Sequence, residues 1–198
     1  MVTKWINNVN EFNNSRGDFV ILQYKKKNKR RLYMEECKNI STIDSIILSD
    51  YILKHYGPMS HLKLQKLLFY CDAYHLAYFD KELITDKFEA WVHGPVSRKV
   101  YDSLKDKSML YAELSYSNST GKDVDKEFGK LTQDQQTLIV SILTDLSTWT
   151  GLELERATHN ERPWLEARIG YAEADKCHEI ISKKTVQAFY KSEQNAGV

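Results

Sequence analysis

Between residues 60 and 79 the apolar positions fall on helical spacing. Leu64, Leu67, Leu68, Cys71, Tyr74, Leu76 and Tyr78 recur mostly at three- and four-residue steps, the period of one broad face of an amphipathic helix. The spacing predicts a helix from about Ser60 to Phe79, and its apolar content makes it the element on which the core is built. Asp80-Lys81 breaks the period. Lys87 to Val92 then alternates, with Phe88, Ala90 and Val92 facing one way and Trp91 and His93 the other, as a strand requires. Trp91 is expected on the core side. Gly94-Pro95 turns the chain into a further helix running to about Lys105, with Val96, Val100 and Leu104 as its stripe and Pro95 in the first turn, where a missing N–H costs nothing.

Weaker patterns flank this stretch. Trp5, Ile6, Val9 and Phe12 have the spacing of a short N-terminal helix. Phe19 to Tyr24 and Leu32 to Glu35 read as the two strands of a β-hairpin, which is marginal alone and needs a body to pack on. Ser41 or Thr42 can cap a helix that buries Ile43, Ile46, Ile47, Tyr51 and Leu53 and ends at Gly57-Pro58. Residues 115 to 125 have loop composition. Thr132 with Gln135 forms a capping-box pattern ahead of Leu138, Ile142, Leu146 and Trp149. A short helix follows around Leu152, Leu154 and Ala157; Pro163 restarts the chain, and Ser182 caps a last helix bearing Val186, Phe189 and Tyr190. The fold class is therefore mainly α, a compact helical domain over residues 41–198 preceded by an extension, residues 1–40, with a β-hairpin.

Composition changes this picture little. Charged residues are 28% and hydrophobic ones 42%, with only three prolines and eight glycines in 198 residues, which is globular rather than disordered usage. No stretch approaches the ~18 apolar residues of a membrane span, and no apolar leader opens the chain, so a cytoplasmic location without a membrane partner is expected. Cys37, Cys71 and Cys177 are odd in number and unpaired in motif, as reduced cytosolic thiols are. Charge is uneven. Lys25, Lys26, Lys27, Lys29, Arg30 and Arg31 form a basic hairpin tip, and since the net charge is only +1 the rest of the chain is mildly acidic.

Three ordered motifs carry a resemblance. Leu62-Lys63-Leu64-Gln65-Lys66-Leu67-Leu68-Phe69-Tyr70 comes first, then Glu89-Ala90-Trp91 with Gly94-Pro95-Val96 and Val100-Tyr101, and last Thr158-His159-Asn160-Glu161-Arg162-Pro163-Trp164. Together they resemble the Panacea antitoxin domain, also called SocA-like or phage-associated GepA-like, from about residue 45 to about residue 190. The resemblance implies a helical Panacea-like domain that acts without catalysis. It would be the antitoxin of a bacterial or prophage toxin–antitoxin pair, neutralising a co-encoded toxin by direct binding. It also implies, as a variant, an adaptor that presents the toxin to a cytosolic ATP-dependent protease. The first forty residues lie outside it.

Candidate residues fall into three sets. His93 at a strand end beside a rigid turn, Arg98 and Tyr101 three apart on the next helix, and His159 with Trp164 downstream make a candidate toxin-binding face, since aromatics and arginine dominate interface hot spots. The basic run Lys25–Arg31, flanked by Tyr24 and Tyr33, supports the alternative of a nucleic-acid-binding regulator, because six cations can neutralise several phosphates. Cys71 and His75, four apart on a helix and next to Asp72, or else His93, are the residues a small hydrolase or metal enzyme would use. The other histidines supply no second ligand pair, and a cysteine on an apolar stripe is usually an inert hydrophobe, so neither metal nor cofactor is expected.

Overall fold

The computed structural model describes residues 40–104 and 111–196. The N-terminal extension and the basic hairpin expected from the sequence lie outside the described residues.

Helix α1 (Ser45–Tyr56) is capped by Asp44, whose carboxylate accepts from Ile46 N at 2.9 Å, and it ends at Gly57. The cap thus lies two or three residues beyond the expected Thr42 or Ser41: Ser41 instead exchanges main-chain hydrogen bonds with the Gln135 side chain. Strand β1 (Met59–Ser60) leads into α2 (His61–Phe79), where Ser60 Oγ accepts from Lys63 N and Asp80 closes the far end in the left-handed conformation. Strands β2 (Phe88–Trp91) and β3 (Gly94–Ser97) form an antiparallel hairpin in which Ala90 faces Pro95 and Trp91 faces Gly94. The next helix, α3 (Arg98–Leu104), begins three residues after Pro95 rather than at it. Pro95 is a strand residue whose ring nitrogen points away from the ladder, the place where a sheet tolerates proline.

Strand β4 (Glu113–Leu114) pairs with β1. Within the expected loop region a short helix, α4 (Val124–Phe128), starts on the Asp123 cap. Two capping boxes set the following helices: Thr132 with Gln135 opens α5 (Gln133–Leu146), and Thr150 with Glu153 opens α6 (Gly151–His159). Helix α7 (Arg162–Ala167) carries Pro163 in its first turn, and α8 (Lys183–Ala196) closes the domain. Between α7 and α8, Glu179–Ile181 runs antiparallel to β2, with Ala90 N donating to Glu179 O and Ile181 N to Phe88 O, each at 2.8 Å.

Helix α2 is the hub. Of its nineteen residues only Lys63 and Tyr74 escape full burial, because α1, α5, α6, α8 and the hairpin all pack against it. The expected amphipathic helix is thus a central one, and its polar residues Gln65, Lys66, Asp72 and His75 are inside. Leu64, Leu67 and Leu68 are completely covered, each contributing about 1.5–3 kcal/mol of burial.

Candidate partner-binding site

The three motifs meet at one knot. Lys66 extends from α2, fully buried, and its Nζ donates to Pro95 O at 3.0 Å. Gly94 sits against it at φ +89°; a Cβ there would lie 2.7 Å from Lys66 Cε and 2.8 Å from Thr158 Oγ1. Lysine, glycine and threonine from three distant stretches therefore interlock, and only glycine fits the middle position. One residue earlier, Gln65 Oε1 accepts from Ser97 N at 2.9 Å and its Nε2 donates to Ser97 O at 3.3 Å. Side chains of α2 thus satisfy the outer edge of β3. Burial pushes the Lys66 ammonium down to about 7, with the nearby Glu155 carboxylate opposing.

Around the hairpin turn, His93 Nδ1 lies 2.9 Å from Glu155 Oε1, and the His93 side chain remains 42% exposed. Glu155 Oε2 and His159 Nε2 are buried without a hydrogen-bond partner among the described residues. His159 stacks on Trp164 at 4.0 Å, and burial lowers its pKa. Trp164 is itself buried; its indole N–H donates to Trp91 O at 3.0 Å. Arg168 Nη1 donates to Ala90 O at 2.9 Å, with its guanidinium over the Trp164 ring. Helix α7 and its C-cap residue therefore hold the hairpin by its main chain.

The hairpin's outer face carries the exposed groups. Arg98 forks onto Glu89 with two 2.7 Å bonds, and its guanidinium lies 5.1 Å from the Trp91 ring centre. Trp91 Nε1 donates to Glu89 Oε2 at 2.7 Å. His178 Nδ1 lies 3.0 Å from Arg98 Nη2 and 3.1 Å from Glu89 Oε2, so its tautomer decides which of the two it serves. Tyr101 packs edge-on against Trp91 at 4.7 Å and stacks on buried His61 at 5.3 Å. The Arg98 hydrogen bonds, seconded by Trp91 N–H, hold the Glu89 carboxyl down at about 2. Arg98 is 45% and His178 60% exposed. This is a pre-bonded surface with an aromatic centre and the Arg98–Glu89 ion pair beside it.

A family model described as antitoxin SocA-like, Panacea domain, matches residues 64–165, just over half of the chain. The chain belongs to this family. Neither the curated proteins nor the solved structures give a significant match. The Panacea match opens in α2 and closes in α7, so it contains Lys66, Gly94 and Thr158, while α1, the Glu179–Ile181 strand and α8 lie outside it. Membership supports an antitoxin-type role.

Of the sequence candidates in this Panacea chain, Arg98 and Tyr101 gather around Trp91, His93 sits at the hairpin turn against Glu155, and His159 and Trp164 stand behind the hairpin. Trp91 is half-buried on the outer face rather than in the core. The reason is the alternation itself: Phe88 and Ala90 take the core side and leave Trp91 the other. Glu89, His178, Lys66 and Glu155 were missed. Glu89 stood in the quoted Glu-Ala-Trp motif, but no local pattern gave its partners. The basic residues Lys25, Lys26, Lys27, Lys29, Arg30 and Arg31 lie outside the described residues.

The hydrolase candidates are packing groups. Cys71 is fully buried, and burial raises its thiol pKa. His75 Nδ1 is 2.7 Å from Lys81 O and Nε2 accepts from Gln135 Nε2 at 2.8 Å, with burial lowering its pKa to about 4. Asp72 accepts from Leu83 N and Ile84 N. Among the described residues no cluster of three potential metal ligands occurs, and no helix is long and apolar enough to cross a membrane.

Proposed function

We propose that this Panacea-domain chain neutralises a co-encoded toxin by stoichiometric binding, through the face where Arg98 and Tyr101 flank Trp91, together with His93 at the adjoining hairpin turn. The observation that supports the reading is the convergence of the family motifs on one hairpin whose outer side keeps Arg98, His178 and the rings of Trp91 and Tyr101 accessible, with His93 partly exposed at the adjoining turn. These groups are already held by hydrogen bonds, so binding costs little ordering of side chains. Arg and Trp at the centre of such a face are the usual anchors of protein interfaces. His159 and Trp164 support it from behind.

The test is co-expression with the product of the adjacent gene, with growth, complex formation and thermal stability measured for each variant. The wild type should restore growth and co-purify. A His93→Ala, Arg98→Ala double variant should bind about tenfold to a hundredfold more weakly while melting within a few degrees of the wild type. A folded double variant with unchanged affinity would move the binding face elsewhere, the basic run at residues 25–31 being the next place to look.

A further inference from the structure

The hairpin and the Glu179–Ile181 segment make a three-stranded arrangement with two unlike edges. On one side the outward main chain of β3 is taken up by α2: Pro95 O accepts from Lys66, and Ser97 N and O bond the Gln65 amide. On the other side no comparable hydrogen bond occurs among the described residues. Glu179 and Ile181 turn their main-chain groups to β2, so by strand alternation those of Ile180 point away from the sheet. The Ile180 side chain is 47% exposed, a large apolar group flanked by exposed His178 and Glu179.

We infer that this open edge receives an extended segment of the toxin as a further strand, with an apolar side chain of that segment seated beside Ile180; the inference rests on the toxin-binding reading above. An unpaired edge with an exposed apolar residue is a template for strand addition, in which main-chain bonds give affinity and alternate side chains give selectivity. The edge is continuous with the candidate face. Ile180 is directly opposite Glu89, so its side chain projects to the same side as Glu89, Trp91 and His178. A strand added there would lay every second side chain towards Arg98 and His178. The edge is short, so main-chain pairing aligns the partner and the aromatic face supplies the remaining contact.

Amide hydrogen exchange of the full-length protein, free and in complex with the adjacent gene's product, tests this. The Ile181 amide, already bonded to Phe88, is the internal reference. The Ile180 amide should exchange about tenfold or more slowly in the complex, with Ile181 little changed. Ile180→Pro, which removes the outward N–H and the exposed side chain but no hydrogen bond to β2, should weaken binding about tenfold, while Ile180→Val should not. If the proline variant does not fold, the exchange result on the wild type decides alone. A complex that restores growth but leaves Ile180 exchanging at its free rate overturns the added strand and leaves toxin binding standing. Absence of any complex overturns both.

Discussion

Gly94 and Lys66 show at the scale of single residues how a sequence motif becomes geometry. The glycine was legible as a turn residue from its neighbour Pro95, but the lysine was not legible as its partner. A lysine on a helix is by default solvent-facing, and periodicity cannot reveal that other elements cover the polar side too. The interlock makes a prediction. In Gly94→Ala the added methyl would overlap Lys66 Cε at 2.7 Å and Thr158 Oγ1 at 2.8 Å in a left-handed backbone region. Overpacking and strain together should cost about 3 kcal/mol, read from denaturant titration. A loss below about 1 kcal/mol would mean that the lysine swings aside and that the knot is looser than its distances show.

Among elements, the helices with strong period and caps were legible: α2, α5 with its Thr132–Gln135 box, and α8 behind Ser182. Local chemistry specifies such helices, since the cap bonds join residues three apart. The start of α3 was not, because proline suits both a helix's first turn and an outward strand position, and the choice was made by Gln65, 32 residues away. Likewise the docking of α8 on α2 depends on a group that no helical pattern marks. Glu161, at the start of α7, accepts from Tyr70 at 2.9 Å and from Tyr190 at 2.6 Å. Both phenols are fully buried and stay protonated well above the ordinary range, burial first and Glu161 second. Glu161→Gln trades a charged acceptor for an amide whose N–H₂ confronts one of those donors. It should destabilise the domain by about 2 kcal/mol and speed amide exchange in α8 before that in α5. Equal acceleration in both helices would show that α8 is not clamped separately.

For the molecule as a whole, the consequence of a hub helix with buried polar groups is a stability that peaks on the alkaline side of neutrality. Burial lowers His61 and His75 from 6.5 to about 4, so the unfolded chain binds protons that the folded chain refuses, and stability falls as pH drops from about 6.5 towards 4. Glu89, held at about 2 against an ordinary 4.5, adds a further loss below about pH 4.5, because its stabilisation is present above that value and disappears on protonation. Lys66 works in the opposite window. Its ordinary value is 10.5 and burial brings it to about 7; between these the unfolded chain carries a proton that the folded chain lacks, and stability rises with pH by at most about 1.4 kcal/mol per unit. Above about pH 9 the buried Cys71 offsets this rise, and above about pH 10 Tyr70 and Tyr190 reverse it, since each ionises when unfolded but stays protonated when folded. The unfolding free energy should therefore climb from pH 7 to about pH 9 and level off before falling above about pH 10. Lys66→Met keeps the length of the buried stem without the titrating amine, so denaturant titrations at pH 7, 8 and 9 should lose that climb in the variant. A slope unchanged by the substitution would assign the rise to another group and place the Lys66 ammonium in a better-solvated site than its complete burial indicates.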